Sequence, residues 1–150
     1  MTDKELVYEK IGMILHISQA IEYNLHIIII YDNIYKKCFS KEEIKDKLKR
    51  IEEYYLEYSK QPTGYSIDLA RKTKIFTEDF LISLSKAISK RNYYAHRFFK
   101  DDFKENNLNN NPKMFLDKLD KDITRLNEMN TELGNDLKEL KLRIKDKISS

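Results

Sequence analysis

Glycine occurs three times and proline twice in 150 residues. A chain so poor in both has few places to turn sharply or to break a helix, which predicts few turns and long helices. The single cysteine, Cys38, excludes an internal disulfide, and no Cys/His cluster has the spacing of a zinc site. No metal and no cofactor are therefore expected. The N-terminus lacks a basic region followed by an apolar core and a small-residue cleavage site, and the run Ile27 to Ile30 is far too short to span a bilayer. These absences predict an intracellular, soluble, cytoplasmic protein with no membrane partner. Internal repeats and a linker long enough to split the chain are missing too, so residues 1–150 read as one domain with a real core.

What is present fits amphipathic helices: 41% of residues are hydrophobic and 35% are charged. The fold class is all-α. A first helix is expected from about Asp3 into the Tyr35 region, with Val7, Ile11, Ile14, Ser18, Ile21, Leu25 and Ile28 tracing one seam. Leu15, Ile17, Ile27, Ile29 and Ile30 widen that surface, as in a helix central to a bundle or one facing a second subunit. Ser40 and Glu43 have capping-box spacing before a helix whose buried face is Ile44, Leu48, Ile51, Tyr55 and Tyr58. Gln61-Pro62-Thr63-Gly64 is the clearest break, a short helix over Ser66 to Lys72 follows, and Thr77 caps the next helix, residues 77–100. Residues 104–111 read as a polar loop. Pro112 then opens a long helix to 148 with a heptad seam at 119, 123, 126, 130, 133, 137, 140 and 144. Asn130 in that seam could fix register with a partner, while Gly134 and Asn135 could mark a break; packing back on the bundle is favoured over pairing between subunits.

The chemistry concentrates at residues 77–100. Leu81, Leu84, Ile88 and Ala95 form a stripe at helical spacing, and Arg91 falls on the same line. An unpaired buried guanidinium is costly, so the position implies either a carboxylate partner inside the protein, with Glu22 of the first helix a candidate, or a groove where a phosphate reaches it. His96 shares a neighbouring face with Asn92, one turn away, and histidine is suited to moving protons near neutral pH. His16 and His26 have no comparable constellation and are expected to be structural or exposed. The net charge of +3 is too small to demand nucleic acid, but Lys86, Lys90, Arg91, Arg97 and Lys100 gather positive charge around the motif.

The segment "KRNYYAHRFF" resembles the signature helix of the HEPN superfamily, whose pattern is Arg, a polar residue, a short spacer and His. Upstream, "IGMILHISQAIEYNLHIIII" resembles a HEPN first helix and "PTGYSIDLARKTKIFTEDFLISLSKAISK" the loop and helix leading to the motif. The resemblance covers roughly two thirds of the chain and implies an up-and-down helical bundle that dimerises. It further implies a metal-independent endoribonuclease, a toxin or phage-defence effector whose two motifs meet in one cleft. Arg91, Asn92 and His96 would be catalytic, with RNA held by Lys86, Lys90, Tyr93, Tyr94, Arg97 and Lys100; Phe98 and Phe99 are further candidates for base stacking. RNA, a second copy of the chain and an antitoxin protein are the expected partners. Some HEPN toxins carry, two residues after the histidine, a tyrosine that a nucleotidyltransferase modifies with AMP; Phe98 stands there, which argues against that control. The alternatives are a non-catalytic HEPN-like module that binds a protein partner, and RNA binding without cleavage.

Overall fold

The computed structural model describes residues 1–103 and 111–150, and among these it is all-helical. Six α-helices follow in chain order: α1 (Asp3–Lys37), α2 (Lys41–Lys49), α3 (Ile51–Ser59), α4 (Thr63–Thr73), α5 (Glu78–His96) and α6 (Pro112–Ser149), with a π-helical turn, Phe98–Asp102, after α5. The loop expected over 104–111 lies, except for Asn111, outside the described residues.

A capping box starts α1: the Thr2 hydroxyl accepts from the Glu5 N–H at 3.1 Å while the Glu5 carboxylate accepts from the Thr2 N–H at 3.4 Å. Every position of the expected seam from Val7 to Ile28 is buried. By length and composition α1 could also cross a bilayer, since an 18-residue window reaches a mean hydropathy of 1.3. In this bundle 44% of that window is buried, as part of the core. α6 lies beside α1 and runs in the same direction, as three cross-links in rising order show. Lys10 pairs with Asp120, Asn24 donates to Asn130 at 2.8 Å, and Lys147 Nζ donates to the Tyr35 carbonyl at 2.5 Å. Leu119, Ile123, Leu126, Leu133, Leu140 and Ile144 of the heptad seam are buried within the subunit. Asn130 therefore sets register against Asn24 of the same chain, and α6 passes through Gly134 and Asn135 without a break.

Three sequence expectations need correction. The helix expected to bury Ile44 through Tyr58 bends at Arg50 into α2 and α3, and only Ile44 of its five face residues is fully buried, because the pair covers one end of the bundle. Its N-terminal box is also incomplete: Ser40 accepts from the Glu43 N–H, but the Glu43 carboxylate reaches the Phe39 N–H instead of that of Ser40. The helix expected over 77–100 stops at His96. Beyond it the wider turn lets Phe98 and Phe103 stack face to face, with centroids 5.6 Å apart and planes at 6°, and Phe115 of α6 meets both edge-on at 5.4 Å.

His26 joins α1 to α4, with Nε2 2.8 Å from the buried Ser66 hydroxyl, and the rings of Tyr55 and Tyr58 flank it. Its Nδ1 is buried with no partner among the described residues, and burial pushes its pKa below the ordinary value. The folded state thus takes up the proton at lower pH than the unfolded state does. Stability contributed by neutral His26 should be full above the unfolded value of about 6.5 and fall as pH drops below it. Urea titrations between pH 7 and 5 should show that loss, and His26→Gln should flatten it. A Cβ at Gly134 meets nothing within 4 Å, and its φ is not positive. Gly134→Ala should accordingly raise unfolding stability by about 0.5–1 kcal/mol.

Candidate functional site

Arg91 sits where α5 crosses α1, and Glu22 of α1 is its partner: Nη2 donates to Glu22 Oε1 at 2.6 Å. Both side chains are about one quarter exposed, at 26% and 25%. Burial raises the pKa of the Glu22 carboxyl, and the charge and hydrogen bond of Arg91 pull it back down. Nε of Arg91 is buried and has no acceptor among the described residues. Of the two explanations for an arginine on this row, the internal carboxylate is the one found. The row itself differs from expectation. α5 buries Phe80, Leu81, Leu84, Ala87 and Tyr94, whereas Ile88 and Arg91 are half-buried and Ala95 is exposed, because the helix packs on α1 and α4 and is reached by α6 through side chains such as Asp122.

Asn92 and His96 are four residues apart and exposed on one face with Ile82, Ser85 and Ser89. From Ile82 to His96 this face carries no Lys, Arg, Asp or Glu; Glu78, one turn before Ile82 and paired with Arg71 of α4, closes its N-terminal end. Among the described residues neither Asn92 nor His96 makes a hydrogen bond or ion pair, and none joins them to each other. Five residues of helix place His96 roughly 140° around the axis from Arg91, so within one subunit the two side chains diverge.

Lys86 and Lys90 turn to the other flank and line a cleft toward α6, together with Ser83, Asp122 and Arg125. Lys90 Nζ lies 2.6 Å from Asp122 Oδ1, and the Tyr94 hydroxyl donates to Asp122 Oδ2 at 2.5 Å. Burial, then the bond to Asp122, raises the Tyr94 pKa strongly. Tyr94 is only 2% exposed and Phe98 1%, so neither has a face open to a base, contrary to the stacking expectation; each fills the core beneath the π-helical turn. Tyr93 is half-buried, its hydroxyl bonded to Asp102 and its ring met by the Lys118 ammonium at 5.7 Å. Phe99 stacks on Tyr8 at 5.2 Å and stays 37% exposed. Arg97 pairs with Asp101 at 3.0 Å, and Lys100 is exposed.

The motif residues thus divide into an outward pair (Asn92, His96), a half-buried anchor (Arg91 with Glu22) and a basic flank (Lys86, Lys90). Sequence reading missed Asp122, Arg125 and Ser83. The available signal was Asp122 itself, a carboxylate next to Ile123 in the apolar seam. Comparison with protein families, with curated proteins and with solved structures matches this chain to none of them.

Removing Glu22 leaves a half-buried cation without its counter-charge. Glu22→Ala should lower unfolding stability by about 1–2 kcal/mol, less than for a fully buried pair because water reaches both groups. The double variant Glu22→Leu/Arg91→Met should recover most of that loss in urea melts; equal losses in both would mean the pair is not what holds α5 to α1.

Proposed function

We propose that this chain is a HEPN-type, metal-independent endoribonuclease that acts as a homodimer, in the role of a toxin or phage-defence effector. The observation that carries the reading is the exposed face of α5, uncharged from Ile82 to His96, on which Asn92 and His96 stand one turn apart, in a motif whose arginine is anchored through only one of its terminal nitrogens. Cleavage by the ribose 2′-hydroxyl needs a base for its proton and an acid for the leaving 5′-oxygen. One chain offers one motif histidine, and a second copy docked on this face supplies the other. Such a face suits docking because no like charges oppose each other across a two-fold axis.

In this mechanism one His96 takes the 2′-hydroxyl proton as the oxygen attacks phosphorus, and the partner's His96 protonates the 5′-oxygen as its bond to phosphorus breaks. Because Arg91 and His96 diverge within one subunit, Arg91 takes part only where docking of the second copy brings the donors that Glu22 leaves free to the phosphorane; there charge-assisted bonds strengthen as negative charge grows. Asn92 steadies the phosphate or the imidazole. The products are a 2′,3′-cyclic phosphate and a 5′-hydroxyl end.

A second reading, a non-catalytic HEPN-like module that binds RNA or a protein partner such as an antitoxin, is favoured by one observation: the Glu22 pair accounts for Arg91 on structural grounds alone.

The readings separate in one assay. The purified protein should cleave single-stranded RNA in excess EDTA, and His96→Ala should abolish cleavage while circular dichroism and light scattering still report a folded dimer. Arg91→Lys keeps the charge but loses the planar fork, so it should cut the maximal rate at least tenfold while weakening RNA binding by only ~1 kcal/mol. RNA bound but left intact, or a monomer at micromolar concentration, would transfer the case to the second reading.

A further inference from the structure

The flank of α5 that turns away from Asn92 and His96 forms, with α6, a cleft of about 370 Å³. Its base is lined by the buried Ile14, Leu126 and Ala87, and its walls carry Ser83, Lys86 and Lys90 from α5 and Asp122 and Arg125 from α6. Asp122 is buried, and both its oxygens are engaged, one by Lys90 and one by Tyr94. Each oxygen thus already accepts one bond, and the carboxylate cancels Lys90. Lys86 and Arg125 are exposed and have no acidic partner among the described residues. The cleft therefore holds three cations against one carboxylate, in a chain whose net charge is only +3. Lys86 and Lys90 stand four apart on one helix; Asp122 answers Lys90, and Lys86 is left without a counter-charge among the described residues.

We propose that this cleft binds a phosphomonoester, the terminal phosphate of a small phosphorylated molecule such as a nucleoside 5′-monophosphate. Near neutral pH a phosphomonoester carries about −1.5 to −2 charges, which matches the excess of two cations. Arg125 offers a fork for two of its oxygens, Lys86 a point charge, and the Ser83 hydroxyl a further donor. A cleft of this size, apolar at its base and polar at its walls, suits a small ligand. A phosphodiester chain fits less well, since it carries one charge per phosphate and must continue past the site. Asp79 lies one turn from Ser83 on the same row of α5, and Glu128, Lys121 and the Lys10-paired Asp120 accompany Arg125 on the surface of α6, so the surface beyond the cleft is of mixed charge and no continuous cationic track. The site shares no side chain with Arg91, Asn92 or His96 and holds whether or not those residues cut RNA.

Calorimetric titration of the full chain tests this with four probes: AMP, adenosine, inorganic phosphate, and a 2′-O-methyl oligonucleotide with a 5′-hydroxyl end. AMP and phosphate should bind and adenosine should not. Arg125→Ala and Lys86→Ala should each weaken AMP about tenfold or more, while Arg143→Ala, an exposed arginine elsewhere on α6, should leave it unchanged. AMP affinity should also fall as pH drops below about 6, where the phosphate regains its second proton. Adenosine binding as well as AMP, or Arg125→Ala binding AMP like the parent, would overturn the site. An oligonucleotide whose affinity depends on Arg125 as strongly as that of AMP would make the cleft a track for phosphodiesters and equally refute the proposal.

Discussion

The apolar seam shared by α1 and α6 is the constraint from which the other positions follow. Two helices of 35 and 38 residues lie side by side in the same direction, so the chain between them must come back along the bundle. α5 makes that return, antiparallel to both, and its faces are thereby assigned: one packed on α1 and α4, one flank met by side chains of α6, and one left to solvent. Parallel helices also bring like dipole ends together. At the C-terminal end Lys147 of α6 offsets this by bonding the Tyr35 carbonyl near the end of α1, a cation placed where carbonyls lack partners.

Rotation of α5 about its own axis is fixed by two consecutive residues that pull in different directions. Lys90 is tied to Asp122 of α6 and Arg91 to Glu22 of α1, at 2.6 Å each. Tyr94, one turn on, adds a hydroxyl bond to the same Asp122. With these three contacts made, Asn92 and His96 have no direction left but outward. Half-buried ion pairs contribute little net stability, because desolvation offsets most of their attraction. What they do supply here is orientation, and both the outward face and the basic cleft depend on it.

The sequence made the long elements legible because their periodicity is sustained: the α1 seam and the α6 heptads hold over many turns, and every predicted position of the α1 seam is buried. It was less informative where tertiary contacts override local pattern. The stop of α5 at His96 comes from two phenylalanines that must stack, and the bend at Arg50 from a helix pair covering the end of a bundle. At the candidate site, Arg91 stood out because a cation on an apolar row needs a counter-charge, and Glu22 provides it. Lys86 and Lys90 could not be separated from His96 by proximity in sequence, since roughly 100° per residue carries them to another flank. Arg125 left no trace in the local pattern at all; only the fold brings it beside Lys86.

The common direction of α1 and α6 has a mechanical consequence. Their outer ends lie at opposite poles of the bundle, with Thr2 at one and Ser149 at the other. A pull applied between those ends would slide one helix along the other and load the whole interlocked seam at once, in shear. Antiparallel neighbours joined by a short loop would instead be peeled apart one turn at a time.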